Sequence, residues 1–253
     1  MRHTVRPGAA LIAALAAVSV GAAACSTAPP PPGPLAGTAT PAEHPAAPPV
    51  SPHPAVADPA LGAQLWQAAA DDDAAQVREL IARGADLETR GEHGRTPLVA
   101  ATKNRATAAA RALIDAGADV NATDDLADSA YLYAGAEGLD EILEMTLTHG
   151  ADLRSLNRYG GTALIPACEH GHIETVRRLI EAGVDVNHIN DSGWTAMHEA
   201  IVYGDGSSRY RTVVAALLAA GADPSIRDGA GRTALDNARR LGQPAIVELL
   251  NKD

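Results

Sequence analysis

The stretch that decides the fold is Gly161–Ile201, GTALIPACEHGHIETVRRLIEAGVDVNHINDSGWTAMHEAI, because it contains one complete structural repeat and the start of the next. Thr162 stands where a hydroxyl accepts a hydrogen bond from a first-turn amide, which predicts the start of a short helix. After a break at Gly171, apolar residues recur at helical spacing from Ile173 onward and predict a second, amphipathic helix. Gly183 supplies the left-handed residue that ends this helix. The polar residues that follow predict a protruding hairpin loop.

This pattern recurs along the chain at a fixed interval. The predicted N-cap residues are Thr96, Ser129, Thr162, Thr195 and Thr233. The predicted stop glycines are Gly84, Gly117, Gly150, Gly183 and Gly221. Both series advance by 33 residues, except for a last interval of 38 residues. A period of this length, with two helices and a turn in each copy, indicates a stack of helical repeats.

From about Leu61 to Asp253 the sequence resembles the ankyrin-repeat family. The matching residues are Gly94-Arg95-Thr96-Pro97-Leu98, Gly171-His172 with Glu174, and the Gly-Ala-Asp triplets that begin at positions 84, 117, 150 and 221. The resemblance implies an all-α solenoid of about six helix-turn-helix units with hairpin loops. The expected units are an N-terminal cap at 61–90, then 91–123, 124–156, 157–189, 190–226 with a five-residue insertion, and a C-terminal cap at 227–253.

The unit 124–156 departs most from the repeat pattern. Ala127 stands where its neighbours have the hairpin glycine, Ser129-Ala130-Tyr131 replaces Thr-Pro-Leu, and Thr146 stands where its neighbours have leucine. In a linear array, stability is roughly a sum of terms for each unit and for each interface between neighbours. We therefore predict that this unit is the weakest joint of the array.

The insertion in the unit 190–226 falls within Gly204–Arg211 and predicts a longer turn between the two helices of that unit. Its glycine and serine residues suit a flexible loop, from which Arg209 and Tyr210 are expected to project. Such a loop is either a contact loop for a partner or a tolerated surface insertion, because the entropy of loop closure rises slowly with length. The sequence leaves both interpretations open.

The first 24 residues have the pattern of an export signal. Two arginines precede an alanine-rich apolar run, Ala9–Ala24, which is short for a membrane span. Cys25 follows directly, as in bacterial lipoprotein signals, although Ala22 stands where that motif usually has leucine. We predict that residues 1–24 are a lipoprotein-type signal peptide and that Cys25 is lipidated; the alternative is a conventionally cleaved, secreted protein. Residues 25–60 are rich in proline and alanine and predict a disordered tether.

Composition and charge restrict the classes of partner. Two of the 20 Lys and Arg residues lie in residues 1–24, so the rest of the chain carries 18 basic and 31 acidic residues, a formal charge of −13. A surface this acidic repels phosphate groups, which argues against nucleic-acid binding and against electrostatic membrane binding. The only membrane contact that we expect is the N-terminal lipid. A basic partner protein would complement the charge.

No group of residues predicts a catalytic, cofactor or metal site. Cys168, His170 and His172 lie close together in the sequence, and residues of these types can hold a metal or form a nucleophile with its base. The favoured interpretation is that Cys168 is a small buried residue without a disulfide and that His172 belongs to the turn between two helices. His198 matches a structural histidine of the ankyrin family, which bridges neighbouring turns.

By analogy with the ankyrin family, the concave face of the array is expected to contact a partner through hairpin tips and the exposed side of each first helix. The expected contact residues are Arg95, Lys103, Asp128, Arg158, Tyr159, His170, Trp194, Tyr203 and Arg232, with Arg209 and Tyr210 from the insertion. Exposed aromatic and arginine side chains are frequent anchors of interfaces. Trp194 is expected to be exposed on its hairpin; the alternative is that it packs flat on the neighbouring hairpin.

The resemblance implies a non-catalytic, monomeric module that binds an unidentified protein partner. With the predicted signal and lipid, the repeat domain is expected outside the cytoplasm, anchored at the cell membrane or in the periplasm of a bacterium. One alternative is a structural or stress-protective envelope protein without a specific partner. A second alternative is a metal or thiol protein that uses the group around Cys168.

Overall fold

A computed structural model describes residues 58–251, and this part of the chain forms twelve α-helices arranged in six pairs. The helices are α1 (Pro59–Ala70), α2 (Ala74–Ala82), α3 (Pro97–Lys103), α4 (Thr107–Asp115), α5 (Ala130–Glu137), α6 (Asp140–Thr148), α7 (Leu164–Glu169), α8 (Ile173–Ala182), α9 (Ala196–Val202), α10 (Ser208–Ala219), α11 (Ala234–Arg240) and α12 (Pro244–Leu250). The hairpin loops between pairs contain a short 3-10 turn, Glu92–Gly94, and no strand occurs among residues 58–251. The predicted all-α repeat fold is confirmed. The predicted signal peptide, Cys25 and all but the last residues of the predicted tether lie outside the described residues.

The helices stack in two layers. Each first helix packs on the first helix of the next unit, in the order α1, α3, α5, α7, α9, α11, and the second helices from α2 to α12 pack in the same way. Alanines one repeat apart line the contact between the first helices: Ala68, Ala101, Ala134, Ala167, Ala200 and Ala238, each at most 2% exposed. A methyl side chain lets short helices approach closely, which is how a core without phenylalanine reaches a dense packing.

The predicted N-caps are confirmed in four of five units. The hydroxyls of Thr96, Ser129, Thr195 and Thr233 each accept a hydrogen bond from the amide three residues later. Thr162 was expected to do the same, but its buried hydroxyl has no hydrogen-bond partner in the described part of the chain, and α7 begins only at Leu164. The reason is Pro166, which has no amide to bond the Thr162 carbonyl. That carbonyl accepts from Ile165 instead, in a tighter turn.

The predicted stop glycines are confirmed in all five units. Gly84, Gly117, Gly150, Gly183 and Gly221 have φ between 85° and 93°. The residue after each glycine donates its amide to a carbonyl five residues back, as Val184 does to Leu179 at 3.1 Å. This left-handed turn satisfies the last carbonyls of the helix and directs the chain into the hairpin loop.

Among residues 58–251, three non-glycine residues hold left-handed conformations in positions where the repeat pattern has glycine. Asp72 and Arg105 both have φ 58° in the turns that follow α1 and α3, and Ala127 has φ 60° in the hairpin loop before α5. A side chain in this region is strained by about 1 kcal/mol or more. In the same unit as Ala127, Thr146 is fully buried at a leucine position, and its hydroxyl donates to the carbonyl of Leu143 at 2.8 Å. Because of the strained Ala127 and the buried polar Thr146, the unit 124–156 remains the unit that we predict to be the least stable.

The same unit carries the ion pairs between units. Among residues 58–251, every ion pair that joins two units has one partner in 124–156. Three of them lie on exposed surface and join Arg105 to Glu137, Arg111 to Glu141 and Arg178 to Glu144. Exposed pairs each contribute only about 0.2–1 kcal/mol. They therefore offset part of the strain of this unit and make its stability dependent on salt.

The inserted residues do not form the long flexible loop that the sequence predicted. Helix α9 ends at Val202 and α10 begins at Ser208, so only 203–207 form the turn, while α10 reaches 12 residues. Tyr210 lies in the first turn of α10, is half-buried, and donates its hydroxyl to the carbonyl of Glu169 at 2.9 Å. The expected projection of Tyr210 is wrong, because the inserted residues lengthen the helix and bring its ring against α7. Arg209 is exposed beside it.

Candidate functional site: the central groove

A groove lies where the first helices α5, α7 and α9 meet the hairpin loops that precede them, and it has a volume of about 510 Å³. We call it the central groove. Its polar and aromatic lining consists of Asp128, Tyr133, Glu137, Asn157, Arg158, Tyr159, Glu169, His170, Asn190, Ser192, Glu199 and Tyr203. It belongs to the units 124–156, 157–189 and 190–226, where the sequence predicted a cluster of aromatic residues and an arginine.

The hairpin loops are held in place by side chains that begin each loop. Asp124, Asn157, Asn190 and Asp228 each accept, through one oxygen, the amides two and four residues later. Such turns fix the loop backbone locally. Neighbouring loops are joined by backbone hydrogen bonds, as from Asp191 to Tyr159 at 3.0 Å. The groove therefore has a preformed wall.

Glu199 lies at the base of the groove and is only 6% exposed. It is the fifth residue counted from its N-cap, Thr195, on helix α9, whose other residues are apolar except for His198. One carboxylate oxygen accepts from Asn190 Nδ2 at 3.0 Å, and the other has no hydrogen-bond partner among residues 58–251. Burial, with a further contribution from the charge of Glu169, raises the pKa of Glu199 to about 7, and the Asn190 hydrogen bond opposes this. The base of the groove is thus a carboxyl group that changes charge near neutral pH.

Two exposed tyrosines line the groove. Tyr159, on a hairpin loop, is 58% exposed, and the Arg158 guanidinium lies over its ring at 4.6 Å from the centroid. Tyr203, at the end of α9, is 60% exposed. Burial and the charges of Glu199 and Glu169 raise the pKa of Tyr203, so its hydroxyl stays protonated. Both aromatic rings were among the predicted contact residues, and both are accessible.

Lys103 and Asp128, also predicted as contact residues, are not accessible side chains. Lys103 Nζ lies 2.7 Å from carboxylate oxygens of both Asp124 and Asp128, and the Lys103 side chain is 8% exposed. Burial acts to raise the pKa of Asp124, but the Lys103 hydrogen bond and the loop amides hold it below its usual value. These three residues form a buried link between two units, which meets the groove lining where Asp128 lies 3.6 Å from Arg158 and where Lys103 Nζ lies 5.0 Å from the ring centre of Tyr133.

The expected exposure of Trp194 is wrong. Trp194 is half-buried, and its ring lies 5.7 Å from the ring of Tyr203, tilted by 55°. The Asn190 side chain accepts from the Trp194 amide at 3.0 Å and so turns the loop back toward α9. Trp194 therefore packs on the first helix of its own unit and supports Tyr203, whereas the expected alternative was packing on a neighbouring hairpin.

Three other predicted contact residues make structural contacts. Arg95 lies 3.7 Å from Asp124, and its carbonyl accepts the indole N–H of Trp66 at 3.0 Å. Arg232 is paired with Asp228 at 3.1 Å in the last hairpin loop, away from the central groove. His170 is exposed at the groove margin, with Nδ1 2.8 Å from the carbonyl of Ala136.

The sequence predicted Tyr159 as a contact residue but not the three aliphatic side chains that are exposed on the hairpin loops with it. We call all four the apolar hairpin residues: Leu126, Leu156, Tyr159 and Ile189, which are 43–58% exposed. Of the exposed large apolar side chains in residues 58–251, only Tyr203 and Leu241 lie outside this set. A signal was available, because Leu126 and Tyr159, and likewise Leu156 and Ile189, stand one 33-residue repeat apart at positions that face solvent.

Cys168, His170 and His172 have structural contacts and do not form a reactive site. Cys168 is fully buried, and this burial raises the pKa of its thiol far above the usual range, which removes the thiolate needed for nucleophilic or metal chemistry. His170 and His172 meet edge to face at 5.5 Å, and burial lowers the pKa of His172. Among residues 58–251 no three His, Cys, Asp or Glu side chains are grouped as a metal site would require. In the same range no helix combines the length and the apolar character needed to cross a membrane.

Comparison with known proteins identifies the repeat. A sequence model of the family "Ankyrin repeats (3 copies)" matches residues 61–124 and 131–228. A solved ankyrin repeat domain from Acinetobacter baumannii AYE is 54% identical, with 74% of this chain and 95% of that chain covered and a TM-score of 0.72. A second solved ankyrin repeat protein is 42% identical, with 76% and 98% covered and a TM-score of 0.73. No curated protein matches. On the family match and on both structural likenesses, this chain belongs to the ankyrin-repeat family.

Proposed function

We propose that this protein is a non-catalytic module that binds a partner protein through the central groove and the apolar hairpin residues. Ankyrin repeats are in general protein–protein interaction modules, and the family is typically non-enzymatic. The observation that carries the proposal for this chain is the position of its exposed apolar side chains. Four of the six large apolar side chains exposed within residues 58–251 lie on the hairpin loops, and one of these four, Tyr159, lines the groove.

The arrangement suits protein recognition for two reasons. The loops are fixed by their own hydrogen bonds before any partner arrives, so little conformational entropy is lost on binding. The accessible groove residues include Tyr159, Tyr203 and Arg158, which are residue types that anchor interfaces. The surrounding apolar hairpin residues would exclude water from such anchors.

We further propose that the array works outside the cytoplasm of a bacterium as a monomer held by a lipid on Cys25. The support is the sequence pattern of residues 1–24 and the proline-rich residues 25–60. Extended proline-rich chain advances about 3.1 Å per residue, so the tether would let the array reach up to ~100 Å from its anchor. The formal charge of −13 beyond residue 24 favours a basic partner and binding that weakens as salt rises.

The proposal is tested by affinity capture from a bacterial envelope extract with the full chain as bait. The test variant is Leu126→Ser, Tyr159→Ser, Ile189→Ser, and the control is Leu241→Ser, which alters an exposed leucine of the last unit. We expect a protein that the wild type and the control retain and the test variant loses. Identical captures by all three baits would refute binding at this surface and would favour a spacing or stress-protective role without a specific partner.

A further inference from the structure

The central groove contains more negative charge than its own basic residues neutralise. Arg158, on the groove wall, forms an ion pair with Asp128 at 3.6 Å, and Glu137 forms one with Arg105 at 3.1 Å. Glu169 and Glu199 remain: within residues 58–251 neither has a basic side chain within 4.0 Å. The charge of Glu169 also acts on Glu199, so the two carboxyl groups share one region of the groove.

Glu199 has one structural contact, the hydrogen bond from Asn190 that joins α9 to its hairpin loop, and Asn237 and Asp228 make the equivalent contact in the last unit. This contact uses one carboxylate oxygen and, as Asn237 shows, needs no charged group at this helix position. The equivalent residue in the unit 91–123 is Ala100, which is buried without any polar requirement. An unpaired buried carboxylate oxygen costs about 1–3 kcal/mol or more. Native proteins keep few such groups, and each one needs an explanation, such as backbone strain, a catalytic role or a bound water or ion. Glu199 is 94% buried by residue area and lines the groove, so its unsatisfied oxygen is a second observation that points to a ligand.

The walls around these carboxyl groups are aromatic. Tyr133, Tyr159 and Tyr203 line the same groove as Glu169 and Glu199. Two of these rings already contact cationic side chains of the same chain: the buried Lys103 Nζ lies 5.0 Å from the ring centre of Tyr133, and the Arg158 guanidinium lies over Tyr159. Carboxylates at the base with ring faces at the sides form the arrangement that attracts an alkylammonium or guanidinium group.

We propose that the central groove binds one lysine or arginine side chain of the partner protein, with Glu169 and Glu199 as its counter-charges and Tyr159 and Tyr203 as its walls. This inference rests on the proposed function and adds the chemistry of its anchor. The cation supplies the positive charge that the groove lacks, and its aliphatic stem fits between the rings. A partner segment that carries such a side chain would cross the loops at the apolar hairpin residues.

The test uses single-residue probes and the full chain labelled with 15N, observed by NMR at pH 8. The probes are Nα-acetyl-arginine N-methylamide and Nα-acetyl-lysine N-methylamide, and the neutral control is Nα-acetyl-norleucine N-methylamide. We expect the charged probes to bind in the millimolar range and to shift the amide signals of Glu169, Glu199 and Tyr203. The neutral probe should leave these signals unchanged.

Three variants distinguish the effect of a charge in the groove from the effect of the net charge of the protein on probe binding. Glu199→Gln and Glu169→Gln should each weaken the charged probes at least about tenfold. Glu181→Gln makes the same charge change on the exposed face of α8 and should leave probe affinity unchanged. Equal binding of the norleucine probe, equal effects of all three variants, or signal shifts confined to other surfaces would overturn the inference.

The outcome for this inference is separable from that for the proposed function. If the hairpin variant loses its captured protein while no charged probe binds the groove, partner binding stands and cation recognition fails. If the charged probes bind as expected but no protein distinguishes the hairpin variant from its control, the groove is a cation site and the hairpin surface is not an interface.

Discussion

Glu199→Gln is the substitution that tests the electrostatics of the central groove most sharply. The carboxyl group is 6% exposed, and its pKa rises from the usual 4.5 to about 7, chiefly because of burial and then because of the charge of Glu169. Folding therefore favours the protonated form. Between pH 4.5 and pH 7 the folded state binds more protons at this site than the unfolded state, so stability is lost as pH rises through that window.

The magnitude follows from the difference in pKa. A difference of about 2.5 units at about 1.36 kcal/mol per unit corresponds to roughly 3 kcal/mol of stability lost from Glu199 by pH 8. Glutamine has the shape of the protonated acid, and its carbonyl can accept the same hydrogen bond from Asn190. The variant should thus match the wild type at pH 4.5 and be more stable by roughly 3 kcal/mol at pH 8.

The assay is urea unfolding at several pH values between 4.5 and 8, followed by circular dichroism. Glu181→Gln is the control, because it removes the same charge from an exposed position on α8. The reasoning predicts that only the Glu199→Gln profile is flattened. If the wild type, the control and the variant gave parallel profiles, Glu199 would not be a carboxyl group of raised pKa, and the description of the groove base would be refuted.

Three further predictions concern the unit 124–156. Lys103→Met removes the nearest cation of the buried carboxylates of Asp124 and Asp128, which keep only arginines at 3.6–3.7 Å, and should lower the free energy of unfolding by about 3 kcal/mol, measured by urea unfolding. Ala127→Gly relieves a left-handed alanine and should raise the free energy of unfolding by about 0.5–1 kcal/mol in the same assay; no gain would contradict the assigned strain. Amide hydrogen exchange should be faster in α5 and α6 than in the neighbouring helices, and 0.5 M NaCl should widen the difference. Uniform exchange rates would contradict the prediction that this unit is the least stable.

The sequence was sufficient for features that each residue decides locally. The stop glycines and four N-caps were predictable because a left-handed turn or a hydroxyl cap depends on a few adjacent residues. The missing glycine at Ala127 also predicted the position of backbone strain. Thr162 shows the limit of this approach, since a proline four residues later changes which amide is available.

The features that the sequence did not predict depend on contacts between units. Lys103 was expected at an interface because its helix position faces the groove. In the structure, two aspartates of the next unit, Asp124 and Asp128, each lie 2.7 Å from its ammonium group. Tyr210 was expected in solvent, but a longer helix brings it against α7. Glu199 was passed over because one carboxylate on a repeat surface is unremarkable until its burial is known. The repeat period and the helix propensities of the residues give no information about these contacts between units.

The central claim is that the apolar hairpin residues contact a partner protein, and site-directed photocrosslinking in intact cells tests it directly. The photoreactive residue benzoylphenylalanine would replace Tyr159 or Ile189 in the full chain, with Leu241 as the control position. The account predicts one and the same crosslinked protein from positions 159 and 189 and no such product from position 241. Crosslinks that are equal at all three positions, or present only at 241, would contradict it.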